Sequence, residues 1–269
     1  MTVRVLDRGR WRDFRPGDLP PDDRGLALGD GVFETFRASA GGIRRSDAHA
    51  DRLAAACEAL DLPMPDWSDI VSESRRLAAA GSHIMRVTLT RGSGPRGLAP
   101  IPDASGLVML TGSPWSPSRK SLVLHLSSLR RSPDSLSARH KTISYADNAA
   151  ARREADAAGA GMALLLTSSG AVSGADCANV FALRGGVLRT PSTACAIRPG
   201  VTREVVLGLA REAGLAVEEG DYAPDDFLDA DALFVTNAAM GIVAVSQCGS
   251  RHFDTGQAGL AALQQAEAG

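Results

Sequence analysis

Of the 29 basic side chains in the sequence, only Lys120 and Lys141 are lysines; every other one is arginine. Arginine replaces lysine in a surface ion pair, but it cannot serve as a neutral primary amine near neutral pH. Attack on a carbonyl to form a Schiff base needs that amine, so each lysine is a candidate for such chemistry. A coding bias toward G and C accounts for most of the skew. The count therefore raises Lys120 and Lys141 together as candidates; Lys120 stands beside a Ser/Pro-rich stretch, where a solvated surface residue is expected.

A second kind of chemistry is written in Pro199-Gly200-Val201-Thr202-Arg203-Glu204. Gly200 frees the backbone, the helix that follows presents unpaired N–H groups, and Thr202 adds a hydroxyl. These are the ingredients of an anion site at a helix start, and equally those of a plain threonine cap. Arg52 stands in a helix of otherwise small and apolar residues and reads either as an anion ligand or as a solvated charge. The loop Arg91-Gly92-Ser93-Gly94-Pro95-Arg96-Gly97 has neither GxGxxG nor GxxxxGK spacing and reads, as a bare pattern, as a flexible connection. The five histidines show no HxxxH spacing and no companion cysteine pair, so no metal is expected. A GxSxG elbow and a Walker A loop are absent.

These groups need elements to hold them. The 269 residues are 44% hydrophobic and 22% charged, which suits a globular core and excludes disordered and fibrous classes. With a net charge of −2 the chain has no basic excess for a nucleic acid. No apolar run is long enough for a membrane span, and the opening residues lack the apolar stretch of a signal peptide. The four scattered cysteines, Cys57, Cys177, Cys195 and Cys248, read as buried free thiols in a reducing cytoplasm.

Periodicity predicts helices over 47–60 and 67–80, strands over 32–37, 84–90 and 106–111, and a glycine-rich loop after the second of these. A linker-like composition over 113–120 separates a small N-terminal domain, 1–112, from a larger one, 121–269. The larger half reads as strands over 121–127, 161–167, 179–183, 232–236 and 242–245, with helices over 144–159 and 202–213 and a last one from 256. The class is α+β, with a barrel-like second half.

In order along the chain, five segments resemble the fold-type IV pyridoxal phosphate enzymes, the class IV aminotransferase family. They are Arg24-Gly25-Leu26 through Asp30-Gly31-Val32-Phe33-Glu34, His49-Ala50-Asp51-Arg52-Leu53, His140-Lys141-Thr142-Ile143-Ser144-Tyr145, Gly170-Ala171-Val172 through Asn179-Val180-Phe181, and Pro199-Gly200-Val201-Thr202-Arg203. The resemblance implies a small α/β domain followed by a larger barrel-like α/β domain, a pyridoxal 5'-phosphate cofactor, a small-molecule amino substrate and a homodimer. It makes Lys141 the Schiff-base lysine and later the base. Arg52, Val201, Thr202, Asn237 and Ala238 become ligands of the cofactor phosphate, and Arg86 and Arg96 become ligands of substrate carboxylates.

Within the family, the run from Arg86 through Arg91-Gly92-Ser93-Gly94 to Arg96-Gly97, and the segment Val235-Thr236-Asn237-Ala238-Ala239-Met240, are similar to 4-amino-4-deoxychorismate lyases. A branched-chain or D-amino acid aminotransferase is the alternative. One departure stands out. The family places a glutamate, which keeps the cofactor's pyridine nitrogen protonated, where this chain has Gly174. Either Asp176 substitutes for it, or the site works with a weaker electron sink, or the chain is a non-catalytic relative. Retention of Lys141 in so lysine-poor a chain favours the first two.

Overall fold

The computed structural model describes residues 1–99, 101, 106–116 and 121–268. The expected linker 113–120 therefore falls in part, and Lys120 entirely, outside the described residues. Two compact units emerge: Met1–Ser116 together with His140–Ser144, and Pro117–Arg139 together with Tyr145–Gly269.

The first unit is an antiparallel sheet backed by helices. Its strands are β1 (Thr2–Asp7), β2 (Arg10–Asp13), β3 (Gly31–Ser39), β4 (Gly42–Ile43), β5 (His83–Thr90) and β6 (Val108–Pro114), ordered β2-β1-β6-β5-β3-β4. Its helices are α1 (Arg24–Leu28), α2 (Ser46–Ala59) and α3 (Trp67–Leu77). Side chains alternate across a strand. Val32, Phe36 and Ala38 of β3, with Met85, Val87 and Leu89 of β5 and Leu110 of β6, face Leu53, Cys57 and Ile70 of the helices. The opposite face carries Phe33 and Thr35, whose register partners on β5 are Thr88 and Arg86. The opening residues form a hairpin that the charged pattern did not reveal. Arg8 and Gly9, both at positive φ, make its turn. Arg12 crosses it to Asp7 at 2.9 Å.

Residues 140–144 extend this sheet beside the start of β3. Phe33 N–H donates to the Lys141 carbonyl at 2.8 Å and Ile143 N–H to the Gly31 carbonyl at 3.0 Å. Glycine is required here for space: a Cβ on Gly31 would strike the Leu89 carbonyl, and one on Gly29, which is at φ 71°, would strike Ser144.

The second unit is a rolled sheet of β7 (Ser121–Arg131), β8 (Met162–Thr167), β9 (Val172–Ala175), β10 (Asn179–Arg184), β11 (Val187–Pro191), β12 (Ala216–Gly220), β13 (Ala232–Asn237), β14 (Gly241–Cys248) and β15 (Arg251–His252). Its main path runs β12-β11-β10-β13-β14-β7-β8-β9. Leu124, Leu164, Val172, Val180, Val235 and Val245 meet in one interior cluster, and Ala175 N–H donates to the Ala178 carbonyl at 2.8 Å, so the sheet curls back toward β10. Outside it lie α5 (Ala146–Ala157), α6 (Val201–Glu212) and α8 (Ala258–Ala268), with the short α4 (Leu136–Arg139) and α7 (Pro224–Leu228). The outer faces of the strands contribute Phe181 and Phe234, stacked at 5.0 Å, to the cluster under α6 and α8. The class is α+β, as expected. Cys57, Cys195 and Cys248 are buried as expected, but Cys177, between β9 and β10, is exposed. No helix among the described residues is long and apolar enough to cross a membrane.

Candidate active site

In the first unit Lys141 and Phe33 oppose each other across two paired backbones, so their side chains share the sheet face turned away from the helices. The Lys141 Nζ lies 4.0 Å from the Phe33 ring centroid. The Arg86 guanidinium carbon lies 3.6 Å from the same centroid, with its Nε donating to Thr88 Oγ1 at 3.2 Å. One buried aromatic ring thus places an amine and a guanidinium, both held by cation–π attraction.

On the other face of β3, Glu34 is fully buried. Arg52 reaches it with two parallel bonds, Nε to Oε2 at 3.0 Å and Nη2 to Oε1 at 2.6 Å, and His49 Nδ1 lies 3.0 Å from Oε1. Burial by itself raises the Glu34 carboxyl. The Arg52 charge, the His49 and Arg52 hydrogen bonds and the Lys141 charge outweigh it and hold the group at about 2. Glu34 therefore fixes the Arg52 guanidinium in place and sets a permanent negative charge near the Lys141 amine. Neither role was visible in the sequence.

The α1 turn and the glycine-rich loop are one structure. Asp23 caps α1 through Gly25 N–H at 2.7 Å and accepts from Thr90 Oγ1 at 2.7 Å. Asp30 joins Arg24 at 3.1 Å to Arg91 at 2.8 Å. The loop expected to be a flexible connection is anchored at its first residues. Arg96, further along, is exposed and makes no hydrogen bond or ion pair among the described residues. Nothing joins it to Arg86.

In the second unit Gly200 is the N-cap of α6, and no side chain caps that end. A Cβ on Gly200 would strike the Asn179 amide oxygen, while Asn179 Nδ2 braces the Arg198 carbonyl at 3.0 Å. Val201 and Thr202 are buried in the first turn, and the Thr202 hydroxyl has no hydrogen-bond partner among the described residues. Leaving a buried hydroxyl unmade costs about 1–3 kcal/mol, so a plain cap does not explain it. Thr236, paired with Asn179 in the β10–β13 register, has a second orphaned buried hydroxyl. Beyond it the Asn237 side chain accepts from Ala239 N–H at 3.0 Å and Met240 N–H at 2.8 Å, which shapes the turn at Ala238. Uncapped N–H groups, a glycine with no room for a side chain and two unpartnered hydroxyls fit an oxyanion such as a phosphate ester. Thr236 was missed because a threonine in a strand carries no signal of its own.

Asp176 is almost fully buried. Its carboxylate takes two bonds from Arg152, at 2.9 and 2.7 Å, and one from Ala163 N–H at 2.7 Å.

Residues 31–248 match the family model described as amino-transferase class IV. A Methanocaldococcus jannaschii protein that carries the name of a branched-chain-amino-acid aminotransferase is 31% identical over 96% of this chain and 92% of its own. A fold IV transaminase from Curtobacterium pusillum superposes with a TM-score of 0.84 at 28% identity, covering 98% of this chain and 97% of that one. The 4-amino-4-deoxychorismate lyase from Pseudomonas aeruginosa does so with a TM-score of 0.83 at 28% identity, covering 93% and 95%.

Proposed function

The chain belongs to the class IV aminotransferase family, and on that premise we propose that it is a 4-amino-4-deoxychorismate lyase, converting its substrate to 4-aminobenzoate and pyruvate. The cofactor is pyridoxal 5'-phosphate. When bound, it supplies an aldehyde for an amine and a ring that draws electrons from the carbon bearing the substrate nitrogen.

The residues fit this group. Lys141 is the amine that would hold it. Thr202, the N–H groups of Val201 and Thr202, and the Asn237–Ala238 turn would hold its phosphate, with Arg52 and Thr236 adding charge and a hydroxyl. Lys141 Nζ then takes the proton from the substrate ring carbon that carries the nitrogen. The adjacent carbon–oxygen bond breaks, enolpyruvate leaves and becomes pyruvate by taking up a proton, and the remaining ring is aromatic. Arg86 binds a substrate carboxylate through its planar fork, and Arg96 adds a second guanidinium from the loop.

The observation that carries the reading is the shared contact of Lys141 and Arg86 with Phe33: base and carboxylate ligand are set by one ring. The lyase is preferred because the carboxylate nearest position 174 in sequence, Asp176, is bonded to Arg152 and Ala163. Gly174 offers none of its own. A weak electron sink suits an elimination driven by aromatisation better than a transamination. The second reading, transamination of a branched-chain or D-amino acid, is favoured by the M. jannaschii relative.

Incubation of the cofactor-loaded protein with 4-amino-4-deoxychorismate separates the two. Pyruvate release without any keto-acid acceptor supports the lyase; turnover only with an acceptor sinks it. The reading carries with it a homodimer acting in the cytoplasm, and light scattering tests the first of these.

A further inference from the structure

Around Gly174 the second unit collects two arginines that no carboxylate among the described residues pairs directly. A Cβ built on Gly174 would meet the Ala178 carbonyl at 3.1 Å, the Arg131 Nη1 at 3.6 Å and Ile197 Cγ2 at 3.9 Å. The charged group beside that empty side-chain position is therefore a guanidinium. Arg131 stands at the end of β7 and donates from Nη2 to the Ala175 carbonyl at 3.1 Å. Arg198, in the segment leading to α6, donates from Nη1 to the Tyr145 hydroxyl and lies over that ring at 4.9 Å. Neither arginine forms an ion pair among the described residues. Burial, and then the Arg198 charge, bring the Arg131 guanidinium down to about 10 against the opposing pull of Tyr145, Asp176 and Cys177. Two neighbouring cations with no carboxylate in ion-pair contact among the described residues are costly in a partly buried setting. Such a pair calls for an electron-rich atom from a ligand.

We propose that Arg131, held by its bond to the Ala175 carbonyl, donates a hydrogen bond to the pyridine nitrogen of the cofactor and so keeps that nitrogen unprotonated. The inference rests on the pyridoxal phosphate reading, under which position 174 faces the ring nitrogen. A guanidinium stays charged and does not yield its proton to an aromatic nitrogen. The ring nitrogen is then a hydrogen-bond acceptor and carries no charge of its own. Its pull on electrons is weaker than that of a carboxylate-paired pyridinium. The chain has thus exchanged an acid for a cation at this point, which biases it toward substrates whose own rearrangement supplies the driving force.

The test loads the protein with pyridoxal 5'-phosphate isotopically labelled at the ring nitrogen and reads the NMR chemical shift of that nucleus. The wild type is expected in the unprotonated pyridine range, displaced by a donated hydrogen bond. Arg131→Met should move the signal to that of a pyridine without a donor, and Gly174→Glu should move it into the protonated range. A protonated nitrogen in the wild type overturns the proposal. So does an Arg131→Met signal that stays in place while KM for the substrate rises, since the guanidinium would then serve a substrate carboxylate. Should Arg131→Met fail to fold, the wild type and Gly174→Glu still decide. Failure of the cofactor reading looks different: no visible band on loading and no label on Lys141 after borohydride reduction.

Discussion

Lys141 faces Phe33 across paired backbones, its carbonyl accepting the Phe33 N–H at 2.8 Å and its Nζ resting 4.0 Å from the ring centroid. The amine is thereby aimed by a strand and an aromatic ring. Lys141→Arg keeps the charge on the ring but removes the neutral amine. The variant should fold, lose the visible band of the loaded protein, and fall in turnover by about 10²–10⁴-fold or more. Absorption and steady-state kinetics check it; a variant that keeps both band and turnover rules Lys141 out.

Glu34 makes stability depend on pH in a defined window. Its folded value of about 2 lies below the ordinary 4.5. The stabilisation is therefore complete above about 4.5 and is lost as pH falls toward 2, amounting to on the order of 3 kcal/mol. Urea denaturation of Glu34→Gln should show a deficit of that order at neutral pH that closes near pH 2. A constant deficit across the range would assign the loss to packing.

Thr202→Val separates a ligand role from a capping role. The hydroxyl has no partner among the described residues, so its removal should leave the Tm of the cofactor-free protein unchanged or raised. Affinity for pyridoxal 5'-phosphate should drop about 10-fold, the worth of one hydrogen bond of ~1–1.5 kcal/mol. Thermal melts with and without cofactor give both numbers. A lower Tm without cofactor would return Thr202 to the role of a cap.

Arg86→Gln should raise KM about 10-fold or more with a smaller effect on kcat, because a charged hydrogen bond to a carboxylate is worth ~1.5–3 kcal/mol. Steady-state kinetics with the acidic substrate measures the split. An unchanged KM would leave Arg86 a purely structural partner of Phe33.

What could be read from the sequence follows from where each signal lives. Rarity raised Lys120 and Lys141 together, and the likeness of the segment His140–Tyr145 to the family chose Lys141; the Gly200–Thr202 turn was found by local chain chemistry, and α2 and α3 by helical period. The Arg52–Glu34 pair joins residues 18 apart on a helix and a strand, and no local pattern encodes such a meeting. The hairpin of β1 and β2 fully buries only Val5 among its strand residues and reads Arg-Trp-Arg-Asp along β2, so apolar alternation did not announce it. The edge strand β12 reads Ala-Val-Glu-Glu-Gly and pairs in parallel with β11; its polar sequence looks like a loop. Arg131 lay unnoticed among 27 arginines, since only the fold brings it to Gly174.

Asp176 provides the sharpest test of what stands in for the missing glutamate. Its carboxylate oxygens are taken by Arg152 at 2.9 and 2.7 Å and by Ala163 N–H at 2.7 Å, and the side chain is only 3% exposed. The Arg152 guanidinium is correspondingly raised, by its hydrogen bond to Asp176. An oxygen already accepting charged and backbone donors has little left for a ligand, so the physical task of Asp176 is to tie α5 to β8. Asp176→Asn should destabilise the protein by about 2–3 kcal/mol, as expected for weakened charge-assisted bonds. The ring-nitrogen signal of the loaded protein should not move. Melting curves and the NMR shift are read on the same sample. Were stability unchanged while the nitrogen signal shifted, the acid would be serving the cofactor, and the guanidinium of Arg131 would lose the place assigned to it.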